Sequence, residues 1–231
     1  MADALQTISA TARTSASWLH AIGDGGDSTP VAAVIRHAER EPIEEIGRSH
    51  EAMLTAKGAR TARDTGSRLP AGRKLVLWHS PVKRCADTAQ ELAAGFSAAG
   101  GEASIAGPDM ILGAPYIRDL PRTYELLGTL GDPFVRAWFA GAVPGEVIEP
   151  LAVAVRRLAG AIASRLRDAA PGSLLVLVTH DWNVMLLREG ILGVRFEDVG
   201  WPDYLDGPTL RLADGGVSVA WRDRRGSLHL D

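Results

Sequence analysis

Three short apolar runs, each ending in polar and titratable residues, constrain the fold of this chain most strongly. The runs cover residues 31–37, 74–79 and 173–179, and each is rich in Val, Leu and Ile. Runs of this length and composition are typical of strands that are buried on both faces of a sheet. We therefore expect a sheet whose interior strands are parallel.

Helical segments separate the three runs. Thr55 is a good N-cap for a helix that reaches about residue 69, and Pro81 stands near the start of a helix that ends at about residue 99. Residues 151–169 alternate apolar side chains and arginines at helical spacing. Strands that alternate with helices predict an α/β fold, a three-layer α/β/α sandwich with a mainly parallel central sheet. Residues 209–213 and 217–221 flank Asp214-Gly215-Gly216 and predict a β-hairpin.

The length of 231 residues is enough for one sizeable core, so we divide the chain into two parts. Residues 1–30 form an N-terminal preamble with a peripheral helix over residues 4–22 and a loop. Residues 31–231 form the main domain. This domain has an insertion at about 100–150 that is rich in Gly and Pro and that we expect to cover another part of the protein.

Composition limits the classes of molecule that this chain can bind and the cellular compartment in which we expect it. The net charge is −3, so the chain has no global attraction to nucleic acid or to an anionic membrane. No stretch is long and apolar enough to span a bilayer, and no secretory signal is evident. The single Cys85 excludes an internal disulfide and fits a reducing compartment. We expect a cytoplasmic protein with a small-molecule partner, and its oligomeric state stays open.

The polar residues that follow the strands should gather at one edge of the sheet, because ligands of such sheets bind at the carboxyl ends of the strands. His37 stands in Arg36-His37-Ala38-Glu39-Arg40, among three residues that carry positive or titratable side chains. Arginines hold a phosphate by charge-assisted hydrogen bonds, and they also oppose protonation of a neighbouring imidazole. This segment predicts a neutral, nucleophilic histidine beside an anion site; a charged turn after a strand is the alternative.

Two further segments carry matching chemistry. Arg84 falls in the first turn of a helix that follows a strand, where the helix dipole also favours an anion. His180 could donate a hydrogen bond to a phosphoryl oxygen, while Asp181 could supply a proton to a leaving alcohol. Taken alone, Arg84 could be a solvated surface residue and Asp181 a helix cap. Cys85 is expected to be a small packed residue rather than a reactive thiol.

The three segments together resemble the histidine phosphatase superfamily. Arg-His-Ala-Glu-Arg-Glu-Pro at residues 36–42 is similar to its RHGxRxP signature, residues 80–89 are similar to its SxxxRxxxTA segment, and His-Asp-Trp-Asn at residues 180–183 is similar to its HDTN motif. Leu54-Thr55-Ala56-Lys57-Gly58 resembles the family's LTxxG helix start. These motifs are closest to the acid phosphatase and phytase branch. The short chain with one cysteine resembles instead the compact, phosphoglycerate mutase-like branch.

The resemblance implies a phosphoglycerate mutase-like fold and a set of roles. His37 would be the nucleophile that forms a phosphohistidine, and Asp181 would be the general acid and then the base that activates water. The phosphoryl oxygens would be held by Arg36, Arg40, Arg84 and His180. Glu39, Trp182 and Asn183 are candidates for contact with the rest of the substrate. No metal and no cofactor is implied, because the guanidinium cluster supplies the positive charge that Mg²⁺ supplies in other phosphoryl-transfer enzymes.

This chain departs from the family pattern at several points. Ala38 replaces the usual glycine, which is tolerable where the local φ is negative. Glu39 is expected either to pair with Arg40 or Arg84 or to restrict which anion fits. The compact branch takes its acid, a glutamate, from the region after the second strand, so Asp119 and Glu125 are rival proton donors. We favour Asp181, because its adjacency to His180 fixes its position without help from the insertion.

Several functions remain open on the sequence. The leading hypothesis is metal-independent hydrolysis of a small phosphomonoester. A phosphomutase would share the chemistry, but the insertion offers only Arg118, Arg122 and Arg136 to hold a second anion, so we place the hydrolase first. A metal-dependent phosphohydrolase of the HD-domain kind would place its ligands on a helical bundle, whereas His180 follows a strand. A non-catalytic module that binds a phosphorylated ligand is the last alternative.

Overall fold

Seven strands form one continuous sheet in a computed structural model that describes residues 16–23, 28–43 and 45–230. The strands are β1 (Val31–Arg36), β2 (Lys74–His79), β3 (Ala103–Pro108), β4 (Ser173–Thr179), β5 (Thr209–Ala213), β6 (Gly216–Trp221) and β7 (Arg224–His229). Their order across the sheet is β3-β2-β4-β1-β5-β6-β7. Every residue of β1 and β4 is buried, as the unbroken apolar runs predict.

The first four strands are parallel to one another, and the last three are antiparallel. In the register, Arg36 of β1 faces Thr179 of β4, and His79 of β2 faces Val178 of β4. The carboxyl ends of β1, β2 and β4 therefore lie side by side, which confirms the expected edge. The predicted hairpin forms β5 and β6, and β7 adds a third antiparallel strand that the sequence analysis did not predict.

Helices cover both faces of the sheet, which confirms the three-layer α/β/α architecture. They are α1 (Ala56–Ser67), α2 (Lys83–Ala98), α3 (Leu120–Leu130), α4 (Pro133–Phe139), α5 (Leu151–Asp168), α6 (Asp181–Leu192) and α7 (Phe196–Val199). The side chains of α1 and α2 enter one hydrophobic core, and those of α4, α5 and α6 enter the other. Helices α1 and α2 approach so closely that a Cβ at Gly95 would lie 1.9 Å from the backbone oxygen of Arg63. In the part of the chain that the structure describes, no helix is long and apolar enough to cross a membrane.

Two sequence expectations need correction. Within the predicted N-terminal helix, Ser17–His20 forms a short 3-10 turn rather than an α-helix, because Trp18 is buried and its Nε1 donates to the carbonyl of Leu205 at 2.8 Å. The rest of that prediction, residues 4–15, lies outside the described residues. The segment at 100–150 begins with a strand of the sheet, β3, and only the residues after it, with α3 and α4, pack over the edge where the polar residues meet.

Candidate active site

The two histidines that follow β1 and β4 meet at the carboxyl edge of the sheet. His37 donates its backbone N–H to the carbonyl of Thr179 at 2.9 Å, which carries the strand pairing one residue beyond β1. The His37 and His180 ring centroids lie 5.6 Å apart. Residues 143 positions apart in the chain are thus brought into one site by strand register alone.

His37 is held as a neutral ring with one nitrogen free of hydrogen. Its Nδ1 lies 2.8 Å from the carbonyl oxygen of Ala38, and its Nε2 lies 3.0 Å from Nε of Arg84. A carbonyl only accepts and a guanidinium only donates, so the proton belongs on Nδ1 and the lone pair on Nε2. Burial, followed by the charges of Arg84 and Arg36 and by His180, holds the pKa of His37 well below its usual value. Nε2 is therefore the nucleophilic position near neutral pH.

Arg84 spans the site from the first turn of α2. Its Nε donates to His37, one terminal nitrogen donates to the carbonyl of Ser49 at 2.8 Å, and the other lies 3.3 Å from Nδ1 of His180. Arg40 approaches from the segment after β1 and donates to the carbonyl of Glu41 at 2.7 Å. Both guanidiniums are more than nine-tenths buried.

Among the residues that the structure describes, neither of these buried cations has a counterion. Within the described residues, no carboxylate oxygen lies within 4.0 Å of the Arg84 or Arg40 guanidinium. Burial is the main influence that lowers the pKa of each arginine. Two buried positive charges without partners are costly unless an anion binds between them. The site is therefore built for an anion.

His180 contributes a second neutral imidazole. Because Arg84 faces its Nδ1, the proton sits on Nε2, which lies 2.8 Å from Oγ of Ser80. Burial and then the charge of Arg84 lower its pKa to about 3, although Asp181 acts in the opposite direction. Ser80 belongs to a quoted motif, but the sequence analysis gave it no role. Cys85 lies beneath this ring, and burial raises the pKa of its thiol to about 12, so it is a packed, un-ionised residue.

Asp181 belongs to the same site. Its Oδ2 accepts a hydrogen bond from Nε1 of Trp201 at 2.9 Å and lies 3.3 Å from a terminal nitrogen of Arg36. Burial opposes ionisation, but Arg36, the Trp201 hydrogen bond and His180 together hold the pKa of Asp181 below its usual value. The carboxylate is thus ionised before any substrate binds.

The rival proton donors lie elsewhere. Asp119 is exposed and caps α3, since its Oδ1 accepts from the backbone N–H of Arg122 at 3.0 Å. Glu125 is exposed and pairs with the side chain of Arg122. Neither side chain lines the cavity described next. Among the three carboxylates weighed from the sequence, the structure brings only Asp181 to the histidines.

A cavity of about 290 Å³ opens above the two histidines. Its inner end is lined by His37, Arg40, Arg84, His180 and Asp181. Its outer wall is mostly apolar and comes from the segment 43–50 and from α3 and α4, together with Trp182 and Trp201. A phosphate-sized anion site at one end and an apolar wall at the other is the usual form of a small-molecule pocket.

The comparisons with known proteins agree with this geometry. A sequence model of the histidine phosphatase superfamily (branch 1) matches residues 33–101, a stretch that holds β1, His37, α1, β2 and Arg84. Over this stretch the chain matches the histidine phosphatase superfamily. Among curated proteins, none has a sequence that matches it significantly.

Solved structures of two phosphatases and of a phosphoglycerate mutase show the same fold at low sequence identity. A mycobacterial glucosyl-3-phosphoglycerate phosphatase superposes with a TM-score of 0.58 at 14% identity, over 83% of this chain and 98% of its own. An Entamoeba histolytica phosphoserine phosphatase, solved with 3-phosphoglyceric acid, gives 0.58 at 16% identity, over 87% and 100%. A Bacillus anthracis phosphoglycerate mutase gives 0.50 at 13% identity, over 86% and 95%. The phosphoglycerate mutase-like fold is thereby confirmed.

The structure explains why two of the motif segments have these residues. Thr55 caps α1 by accepting from the backbone N–H of Gly58 at 2.8 Å. A Cβ at Gly58 would lie 2.1 Å from the backbone oxygen of Glu39, so only glycine lets α1 approach the segment that carries Arg40. Ala38 is fully buried and does not have a positive φ, so the methyl group in place of the family glycine is accommodated.

Three of the predicted site residues do not line the cavity but lie around it. Arg36 is fully buried, does not line the cavity, and stacks on the Tyr204 ring with its guanidinium carbon 4.1 Å from the ring centroid. Glu39 pairs with Lys57 at 2.7 Å instead of Arg40 or Arg84. Asn183 is fully buried, and its amide donates to the carbonyls of residues 112 and 113, so it holds the cavity floor rather than facing the substrate.

The support beneath Tyr204 is strained backbone. Leu205 has a φ of 58°, a left-handed conformation that leucine rarely adopts. The strain is held in place because its N–H donates to the carbonyl of Arg36 at 3.0 Å and its carbonyl accepts from the Trp18 indole. Strain of this kind is common beside active sites, where surrounding contacts maintain it. The sequence carries no signal for this turn.

Proposed function

We propose that this chain is a phosphatase that hydrolyses small phosphomonoesters through a phosphohistidine at His37. The observation that carries the proposal is the contact between Nε2 of His37 and Nε of Arg84 at 3.0 Å, inside a site with two buried, unpaired guanidiniums. A nucleophile and an electropositive cradle in contact are what attack on a phosphate dianion requires. The family match and the phosphatases among the structural neighbours support the same reaction class.

The first half-reaction transfers the phosphoryl group to the enzyme. The phosphate dianion binds between Arg84 and Arg40, and the lone pair of His37 Nε2 forms a bond to phosphorus as the P–O ester bond breaks. The electron pair of that bond leaves on the alcohol oxygen, which takes a proton from Asp181. Asp181 is ionised before the substrate binds, but a bound dianion adds negative charge beside it. That charge raises the pKa of Asp181 and favours the protonated form.

The second half-reaction returns His37 to its starting state. A water molecule attacks phosphorus, and the carboxylate of Asp181 accepts its proton. The P–N bond breaks and its electron pair returns to Nε2. The positive charges of Arg36, Arg40 and Arg84 stabilise the charge that develops on the phosphoryl oxygens. The guanidiniums supply the role that a metal ion has in many other phosphoryl-transfer enzymes.

A phosphomutase is the close alternative, and the insertion argues against it. A mutase that carries a second phosphate or carboxylate needs a second cation site. Arg118 pairs with Glu149, Arg122 pairs with Glu125, and Arg136 is held by two carboxylates on α6 and α7. None of the three lines the cavity. We therefore place hydrolysis ahead of phosphoryl migration.

The test is release of inorganic phosphate from p-nitrophenyl phosphate in the presence of EDTA, with His37→Ala and, as a matched control, the exposed His229→Ala. We expect turnover in the wild type and in His229→Ala, and a loss of at least about 1,000-fold in His37→Ala. Unchanged turnover in His37→Ala would overturn the proposal. Binding of vanadate without turnover of any phosphoester would favour a non-catalytic module, and phosphoryl transfer to a second hydroxyl without phosphate release would favour a mutase.

A further inference from the structure

The outer part of the cavity shows what kind of leaving group it accepts. Its wall carries aliphatic side chains, among them Ile43, Ile46, Ile117, Leu120, Leu127 and Val135, together with aromatic rings. A surface of this kind binds a ring or an alkyl body by removing apolar area from water. A sugar or another highly hydroxylated body would lose hydration against this wall with few hydrogen bonds in return.

One carboxylate interrupts the apolar wall. Asp132 lies between α3 and α4 and lines the cavity, where the sequence analysis did not expect a site residue. Its Oδ1 is buried and has no hydrogen-bond partner among the residues that the structure describes. The side chain makes no capping hydrogen bond to α4 either, so local structure does not explain its presence. Burial raises the pKa of this carboxyl. Among the residues that the structure describes, this cavity-lining carboxylate has no side-chain hydrogen bond or ion pair, so a ligand that brings a donor to it would be stabilised.

No cation lies near enough to neutralise Asp132 in the described lining. The arginines of the lining, Arg40 and Arg84, both belong to the phosphate end. His50 also lines the cavity, but its side chain is 65% exposed and faces Glu51. A substrate with a second anionic group would therefore meet an unscreened carboxylate in an apolar wall.

We propose that the substrate is an apolar phosphomonoester that carries a hydrogen-bond donor remote from the phosphate, best an amine, and that Asp132 determines this preference. The inference rests on the phosphatase activity proposed above and goes beyond it by naming the leaving-group class. The same carboxylate disfavours substrates with a second acidic group. The phosphate site at one end of the cavity and the Asp132 carboxylate at the other therefore select a ligand with a negative charge at one end and a positive charge at the other.

The test uses four aryl phosphates that differ only in the group para to the phosphate: ethyl, 2-hydroxyethyl, 2-aminoethyl and 2-carboxyethyl. The kcat/KM of each is measured at pH 7.5 for the wild type, for Asp132→Asn and for Asp214→Asn. The last variant makes the same chemical change at the exposed turn between β5 and β6. In the wild type we expect the aminoethyl compound to exceed the ethyl compound by about 10-fold or more, and the carboxyethyl compound to fall below it by a similar factor.

Asp132→Asn should bring the ratios of both charged compounds to the ethyl compound to within about threefold of one, while Asp214→Asn should keep the wild-type ratios. Thermal unfolding of both variants checks that they are folded, and the ratios within the wild type test the preference without any substitution. Turnover of the ethyl compound with no preference for the amine, or a preference that survives in Asp132→Asn, would overturn the inference alone. Failure of the wild type to hydrolyse any aryl phosphate would overturn the proposed function and this inference with it.

Discussion

Nε of Arg84 donates to Nε2 of His37 at 3.0 Å, so the guanidinium that we propose binds the substrate also fixes the tautomer of the proposed nucleophile. The same arginine reaches Nδ1 of His180 with a terminal nitrogen. Because a guanidinium has no acceptor, both ring nitrogens that face it must be free of hydrogen. One side chain therefore aligns two imidazoles that arrive on different strands.

Replacement of Arg84 should distinguish the contribution of its positive charge to activity from the contribution of its hydrogen-bond geometry. Arg84→Lys keeps the positive charge but cannot donate to His37, His180 and Ser49 at once, since its ammonium is a single point rather than a planar fork. We expect kcat/KM for p-nitrophenyl phosphate to fall about 100- to 1,000-fold in Arg84→Lys and further in Arg84→Gln. The exposed neighbour Lys83, which pairs with Asp87, offers the control Lys83→Gln, which should keep wild-type kcat/KM. Equal activity of Arg84→Lys and the wild type would contradict the tautomer-fixing role.

Asp181→Asn should reveal general-acid catalysis through the leaving group. The kcat/KM reports the first half-reaction, in which an alkyl alcohol needs a proton and p-nitrophenolate does not. We expect kcat/KM to fall about 100- to 10,000-fold for an alkyl phosphate and less than about 10-fold for p-nitrophenyl phosphate. Asp119→Asn retains the helix cap and should change neither value. If Asp119→Asn, and not Asp181→Asn, produced the leaving-group dependence, the assignment of the acid would be wrong.

The buried histidines should make stability depend on pH. The folded pKa of His180 is about 3, below the value of about 6.5 in an unfolded chain, so protons bind preferentially to the unfolded state below pH 6.5. Stability should fall as pH falls through this window, and His180 alone should account for up to about 2 kcal/mol between pH 7.5 and pH 5. Urea unfolding in phosphate-free buffers should show a smaller loss over this range for His180→Gln than for the wild type. Identical pH slopes for the two proteins would show that His180 is not buried in its neutral form.

The part of the site that follows the strands could be predicted from the sequence, because strand register alone brings those residues together. His37 and His180 stand at the ends of apolar runs whose length and composition are typical of buried strands. The carboxyl ends of parallel strands meet at one edge of the sheet. Arg84 follows from the same rule, since it opens the helix after the neighbouring strand. Thr55 was predictable as a cap because capping is a local interaction.

The outer part of the site could not be predicted, because irregular segments supply it. Asp132 and Trp201 line the cavity, and Tyr204 stacks on Arg36 behind it. All three come from turns whose path depends on tertiary packing rather than on periodicity. The edge strand β3 was missed because Ala103–Pro108 contains a glycine and a proline and is largely exposed, so it lacks the apolar pattern of a buried strand. Glu39 was expected either to pair with Arg40 or Arg84 or to restrict which anion fits, but the close approach of α1 brings Lys57 to it.

Gly58→Ala should test how α1 positions the segment after β1 that carries Arg40. An added methyl group would lie 2.1 Å from the backbone oxygen of Glu39, so the loop or the helix must move. We expect a loss of about 1–3 kcal/mol in the free energy of unfolding, together with a higher KM for p-nitrophenyl phosphate because Arg40 is displaced. Gly160→Ala, in α5, meets nothing within 4 Å and serves as the control. A Gly58→Ala variant with wild-type stability would show that the approach of α1 is looser than described.

The most direct test of the central claim is to trap the phosphorylated enzyme during turnover. Reaction with a ³²P-labelled phosphomonoester is quenched in alkali, where a phosphohistidine survives, and the labelled peptide is identified by mass spectrometry. We predict acid-labile label on His37 in the wild type, more of it in Asp181→Asn because water is no longer activated, and none in His37→Ala. Label on another residue, or turnover by His37→Ala without any labelled histidine, would contradict nucleophilic attack by His37.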